Sequence, residues 1–160
     1  MSVGALLAWL DRVVTALLGL ALLVLVLVGG GQILLRELAG VPLPWATEFS
    51  VVLMIWATML TGYVGVRRDS HLSADFLGLN MSERKRALLR TVALLLSLVF
   101  VAVYGWESRL VIDAMEGIPF TSMPATQPLL YWSLPAGAAL MALALLHKLW
   151  QQWAGVRGAA

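Results

Sequence analysis

The chain has 160 residues, of which 61% are hydrophobic and 12% charged, with a net charge of +2. Soluble domains carry about 25% charged residues, so the composition fits lipid rather than water as the surrounding solvent. The bases lie between hydrophobic runs and form no continuous patch, which argues against nucleic acid, and the lack of cysteine excludes disulfides, thiolate metal sites and dithiol relays.

The first charge-free run, 13–35, lies between Arg12 and Arg36. It is too long for the 7–15-residue core of a signal peptide. Asp11 stands beside the only base that precedes it, and no A-x-A site follows, so a retained membrane span is expected. The next loop holds Gly40, Pro42 and Pro44, which break a helix. Pro44 suits the first turn of the second helix, where its missing N–H costs little. The second span is 49–66, between Glu48 and Arg67. The third, 91–106, is short alone, but extends back to 87 if Arg90 snorkels to the headgroups. Before it, Ser82 is expected to cap the helix, with Glu83 in the first turn. The mixed stretch 71–78 reads as a short helix lying along the membrane surface. Pro119, Pro124 and Pro128 mark a loop, and the fourth span is placed at 129–146. Pro135 predicts a kink near its start. The expected architecture is an all-α integral membrane protein of four transmembrane helices in one domain, 1–160.

Nine of the eleven Lys and Arg residues fall in the two termini and the connection between spans two and three, against Arg36 and Arg109 in the other loops. The positive-inside rule then places both termini in the cytoplasm. Trp9, Trp150 and Trp153 fall at the inner interface, and Trp45, Trp106 and Trp132 at the outer one, as aromatic anchors do. Trp56 lies mid-span and reads as a packing residue.

Positions 48, 51, 55, 58, 62 and 65 share one face of the second helix. They are Glu48, Val51, Ile55, Thr58, Gly62 and Gly65, and the small inner half, with Thr61 alongside, allows another helix to approach closely. Glu48 reads either as a structural or partner-binding acid, or as a carboxylate held by the helix N-terminal dipole. Arg36 is expected to reach it across the loop. His71 and Asp75 stand four residues apart, a spacing that suits a local hydrogen bond or ion pair. Metal would need more ligands than these two and His147. No ionisable side chain lies deep in the four charge-free runs, and no haem ligand, P-loop, zinc-protease motif or activated nucleophile is present. No catalytic residue, cofactor or metal is expected, nor, on the same grounds, a self-contained enzyme.

Trp45-Ala46-Thr47-Glu48 resembles the W-x-x-E pattern of the small, Q-type membrane subunit of tripartite ATP-independent periplasmic (TRAP) transporters. Arg36 precedes it, as a base commonly does there. Arg67 to Asp75 is similar to the family's R-x-x-x-H-[IL]-x-x-D inner loop, and Thr121, Pro124, Trp132, Pro135 and Gly137 resemble its closing segment. The likeness covers nearly the whole chain, with few matching residues in the third helix and the loop after it. The resemblance implies a bacterial inner-membrane subunit of an ion-gradient-driven, sodium-coupled symporter for an organic acid. It implies three partners: a large M-type permease subunit that this one braces, a periplasmic substrate-binding protein, and membrane lipid. By the resemblance Arg36, Glu48, His71 and Asp75 are structural or interface residues, and Trp45, Thr58, Gly62, Gly65 and Arg67 are candidates for the same role. The alternative is an autonomous homodimeric four-helix carrier, which would need an embedded acid that 13–35 lacks.

Overall fold

The computed structural model describes residues 3–68 and 82–157. His71, Asp75 and the expected surface helix at 71–78 lie outside the described residues. Helix α1 is Val3–Ala39, α2 Pro44–Arg67, α3 Glu83–Ala114, α4 Pro128–Tyr131 and α5 Ser133–Arg157. Four stretches are long and apolar enough to cross a membrane: α1, α2, α3, and α4 with α5 together. The protein is an all-α, multi-pass membrane protein.

The helices run well past the charge-free stretches. At a rise of about 1.5 Å per residue, α1 is roughly 55 Å long against a hydrocarbon core of about 30 Å. Asp11 therefore belongs to α1 rather than to a tail before it. Gly40 ends α1 in the left-handed region at φ 66°, and its N–H bonds the Arg36 carbonyl at 3.1 Å. That is the helix stop that glycine permits and other residues resist. Pro44 takes the first turn of α2. Ser82 occupies the cap position of α3 in extended conformation, but its hydroxyl makes no capping bond. Only its carbonyl joins the helix, accepting from Arg86 N–H at 3.1 Å. The fourth span breaks at Trp132, between α4 and α5. Pro135 explains the place, since its ring crowds the carbonyl four residues back, that of Tyr131.

The helices form a row rather than a bundle. α2 and α5 pack together in the middle, α1 flanks α2, and α3 flanks α5. Two small cores hold the row. Val14, Tyr63 and Ala144 join α1, α2 and α5, while Leu94, Val101, Ala138 and Leu145 join α3 to α5. A one-layer row buries little, and side chains such as Val26 (70% exposed), Phe100 (68%) and Leu38 (83%) face outward. In water such apolar area would drive aggregation, whereas in a bilayer it is the expected lipid or partner surface.

The middle seam is tight because it is built on glycine. A Cβ on Gly137 would stand 2.7 Å from Met59 Cβ, and one on Gly62 2.9 Å from Met141 Sδ. Close backbone approach lets van der Waals contact hold helices where no hydrophobic drive acts between them.

Candidate functional site

Among the described residues, three groups of polar side chains stand out as bridges, besides a weaker contact of the Tyr104 hydroxyl with Met59 Sδ at 3.7 Å. The most elaborate lies at the end of the row that carries both termini. Asp11 on α1 faces Tyr63 and Arg67, which stand four residues apart on one face of α2. The Tyr63 hydroxyl donates to Asp11 Oδ1 at 2.6 Å. Arg67 donates through Nη2 to Oδ2 at 2.6 Å and through Nε to Oδ1 at 3.0 Å. This is the two-pronged geometry in which guanidinium and carboxylate bind most strongly. Arg67 Nη1 also lies 3.5 Å from His147 Nδ1, which extends the cluster to α5. Tyr63 is fully buried, while the Arg67 and Asp11 side chains keep 21% and 36% of their exposure.

The second bridge is at the opposite end. Residues 118–127 fold back in a small hairpin, with Phe120 N–H on the Ala125 carbonyl and Gln127 N–H on the Ile118 carbonyl. Its tip presents two backbone donors, and Glu48 accepts both, from Thr121 N–H at 2.8 Å and Ser122 N–H at 2.9 Å. The expected Arg36–Glu48 pair does not form. Arg36 binds its neighbour Glu37 at 3.0 Å, with both side chains more than half exposed. Glu48 is instead taken by two main-chain amides at the tip of the hairpin. Nearby, Trp56 Nε1 donates to the Leu129 carbonyl at 2.9 Å, tying α2 to α4. Gln32 donates to Thr47 Oγ1 at 3.0 Å, tying α1 to α2.

The third bridge joins α5 to α3. Gln152 Nε2 donates to the Ala87 carbonyl at 2.9 Å and to Thr91 Oγ1 at 2.7 Å.

The residues singled out in the sequence thus divide. Glu48 and Arg67 are bridge residues, and Gly62 lies under Met141 in the α2–α5 seam. Gly65 is half-buried in the last turns of α2. Thr58 is exposed and its hydroxyl turns back to the Met54 carbonyl, and Trp45 is an exposed ring edge-on to Phe49. Asp11, Tyr63, His147 and Gln152 carry bridges that the sequence did not single out. The i, i+4 spacing of Tyr63 and Arg67 was a usable signal, but nothing local says that Asp11 meets them.

Chemically, these arrangements hold helices together. Among the described residues no three His, Cys, Asp or Glu side chains gather to ligate a metal. Each carboxylate in a bridge already has its donors.

The family model for the DctQ component of tripartite ATP-independent periplasmic transporters matches residues 23–155. The chain belongs to this family. Its members are transporter components rather than enzymes, so this is the small permease component of a TRAP transporter. The chain is also similar to the sialic acid TRAP transporter permease protein SiaT of Haemophilus influenzae (strain 86-028NP), 31% identical over 119 residues. That match covers 69% of this chain and 18% of the relative, which is a far longer protein. The matched region of the DctQ family model takes in two of the three bridges whole, Glu48 with its hairpin and Gln152 with α3, and stops short of Asp11.

Removing the Glu48 carboxylate should free the hairpin. Charge-assisted hydrogen bonds contribute about 1.5–3 kcal/mol each, so Glu48→Ala is expected to speed amide exchange at Thr121 and Ser122 by at least about tenfold. Hydrogen exchange read by mass spectrometry on peptides spanning 118–127 checks this, and unchanged protection would show that the hairpin holds itself.

Proposed function

We propose that this chain is a brace for the large, M-type permease subunit of a sodium-coupled TRAP symporter, in the bacterial inner membrane. Both termini lie in the cytoplasm and the Glu48 hairpin faces the periplasm, in line with the bias of Lys and Arg toward the termini and the 67–90 connection. A periplasmic binding protein delivers the solute to that side. An organic acid is the solute class we assign, and the similarity to a sialic acid permease makes an acidic sugar the first compound to try.

The observation that carries this reading is how the polar groups are used. Asp11, Glu48, Arg67 and Gln152 each reach a second helix or the hairpin, and both bridging carboxylates are held by donors from other elements rather than left bare for sodium. Intramembrane sites for ions need such groups, or unwound backbone. The single row presents broad apolar faces, which suit a scaffold laid against a larger protein. Two acids lie within the first helix, and of these Asp11 bears on the autonomous-carrier reading, since Glu37 is exposed near the other end. Arg67 and Tyr63 already hold Asp11, and a carrier would have to break that bridge in every cycle.

The tagged chain, drawn from its native membrane in mild detergent, should bring down a much larger polytopic permease in fixed ratio. Recovery of the chain only as a self-associated dimer would favour the autonomous carrier instead.

A further inference from the structure

Beside the Asp11–Arg67 bridge is a feature the brace does not use. An open pocket of about 270 Å³ lies between α1 and α2, lined by Asp11, Thr15, Val64, Arg67 and Arg68. The geometry points to a binding site for the phosphate of an anionic phospholipid headgroup, in the leaflet at the end of the row that carries both termini.

Three observations converge on that ligand. The first is charge. One carboxylate meets two guanidiniums, and Arg67 engages both Asp11 oxygens, so the pocket keeps a surplus positive charge. The second is donor chemistry. Asp11 takes Nε and one Nη2 donor of Arg67 and His147 stands against Nη1, which leaves one N–H on each Nη, the exposed Arg68 and the Thr15 hydroxyl for an oxyanion. Planar guanidinium forks match phosphate oxygens well. The third is position. α2 ends at Arg67, and α1 runs on from Thr15 through the membrane with Leu22 and Val26, seven and eleven residues further along the same face, both exposed. A headgroup seated here leaves its acyl chains beside those side chains. Basic pockets between transmembrane helices bind anionic headgroups in this manner.

The proposal stands apart from the transport reading, since it needs only membrane embedding. The test is thermal unfolding of the purified full-length chain in neutral detergent, titrated separately with phosphatidylglycerol, phosphatidylethanolamine and inorganic phosphate. Phosphatidylglycerol is expected to raise the melting temperature at the lowest concentration. Arg68→Gln should melt normally without lipid and need about fivefold more phosphatidylglycerol for the same shift, which corresponds to ~1 kcal/mol per basic side chain at a membrane surface. Thr15→Val, which removes no charge, should need about threefold more. Equal responses of wild type and both variants would overturn the site. So would equal protection by phosphatidylethanolamine, while equal protection by inorganic phosphate would make it a free-anion site instead.

Discussion

Replacing Asp11 by alanine should destabilise the protein by about 2–3 kcal/mol, the largest effect expected of any single polar side chain here. The loss has two parts. Tyr63 is fully buried, and its hydroxyl would be left without its acceptor, a penalty of about 1–3 kcal/mol by itself. Arg67 would keep its charge but lose its two-pronged partner. A fully dry pair broken this way costs about 3–5 kcal/mol. Because Asp11 is about a third exposed, water softens that second part and it is discounted heavily. Arg67→Ala should cost a similar amount. The double variant should cost less than the two singles together, by about 1 kcal/mol or more, since each single already breaks the same bonds. Unfolding in mixed micelles with increasing SDS measures all three. Simple additivity would show that the pair contributes nothing as a pair.

Glycine at 137 should prove less replaceable than glycine at 62, although the sequence draws attention to the latter. At Gly62 the obstacle is Met141 Sδ, 2.9 Å from an added Cβ, and a methionine side chain can swing aside. At Gly137 the obstacle is Met59 Cβ at 2.7 Å with its Cα at 3.4 Å. A Cβ cannot move unless its backbone moves, so α2 and α5 must separate. Gly137→Ala is expected to cost about 1–3 kcal/mol and Gly62→Ala less than ~1 kcal/mol, with leucine at 137 preventing recovery of folded protein. Folded yield and SDS midpoints for the alanine pair decide the order. If Gly62→Ala is the worse variant, the seam is held differently from the packing described.

The four spans were legible because a chain this apolar has little use for charge-free runs of membrane length except to cross lipid. Where the helices end was not, because hydropathy marks the hydrocarbon boundary, whereas hydrogen bonding carries α1 back to Val3 and α5 on to Arg157. That gap concealed Asp11. As a tail residue it is only a neighbour of Arg12, and as part of α1 it faces Tyr63 and Arg67. Glu48 stood out by its place at the head of a helix, but its partner did not. Arg36 is the nearest opposite charge in sequence, while the true donors are main-chain amides of Thr121 and Ser122, which no residue pattern advertises. The row order of α1, α2, α5 and α3 was equally hidden. All four spans show apolar side chains on every side, so beyond the small face of α2 that carries Gly62 periodicity gave no hint of which helices meet.

Uptake in proteoliposomes tests the account most directly. Vesicles holding this chain alone, under an inward sodium gradient and with a sialic acid and its binding protein outside, should accumulate no solute. Adding the large permease to the same vesicles should start uptake. Sustained sodium-driven accumulation by this chain alone would contradict the assignment of its polar side chains to bracing.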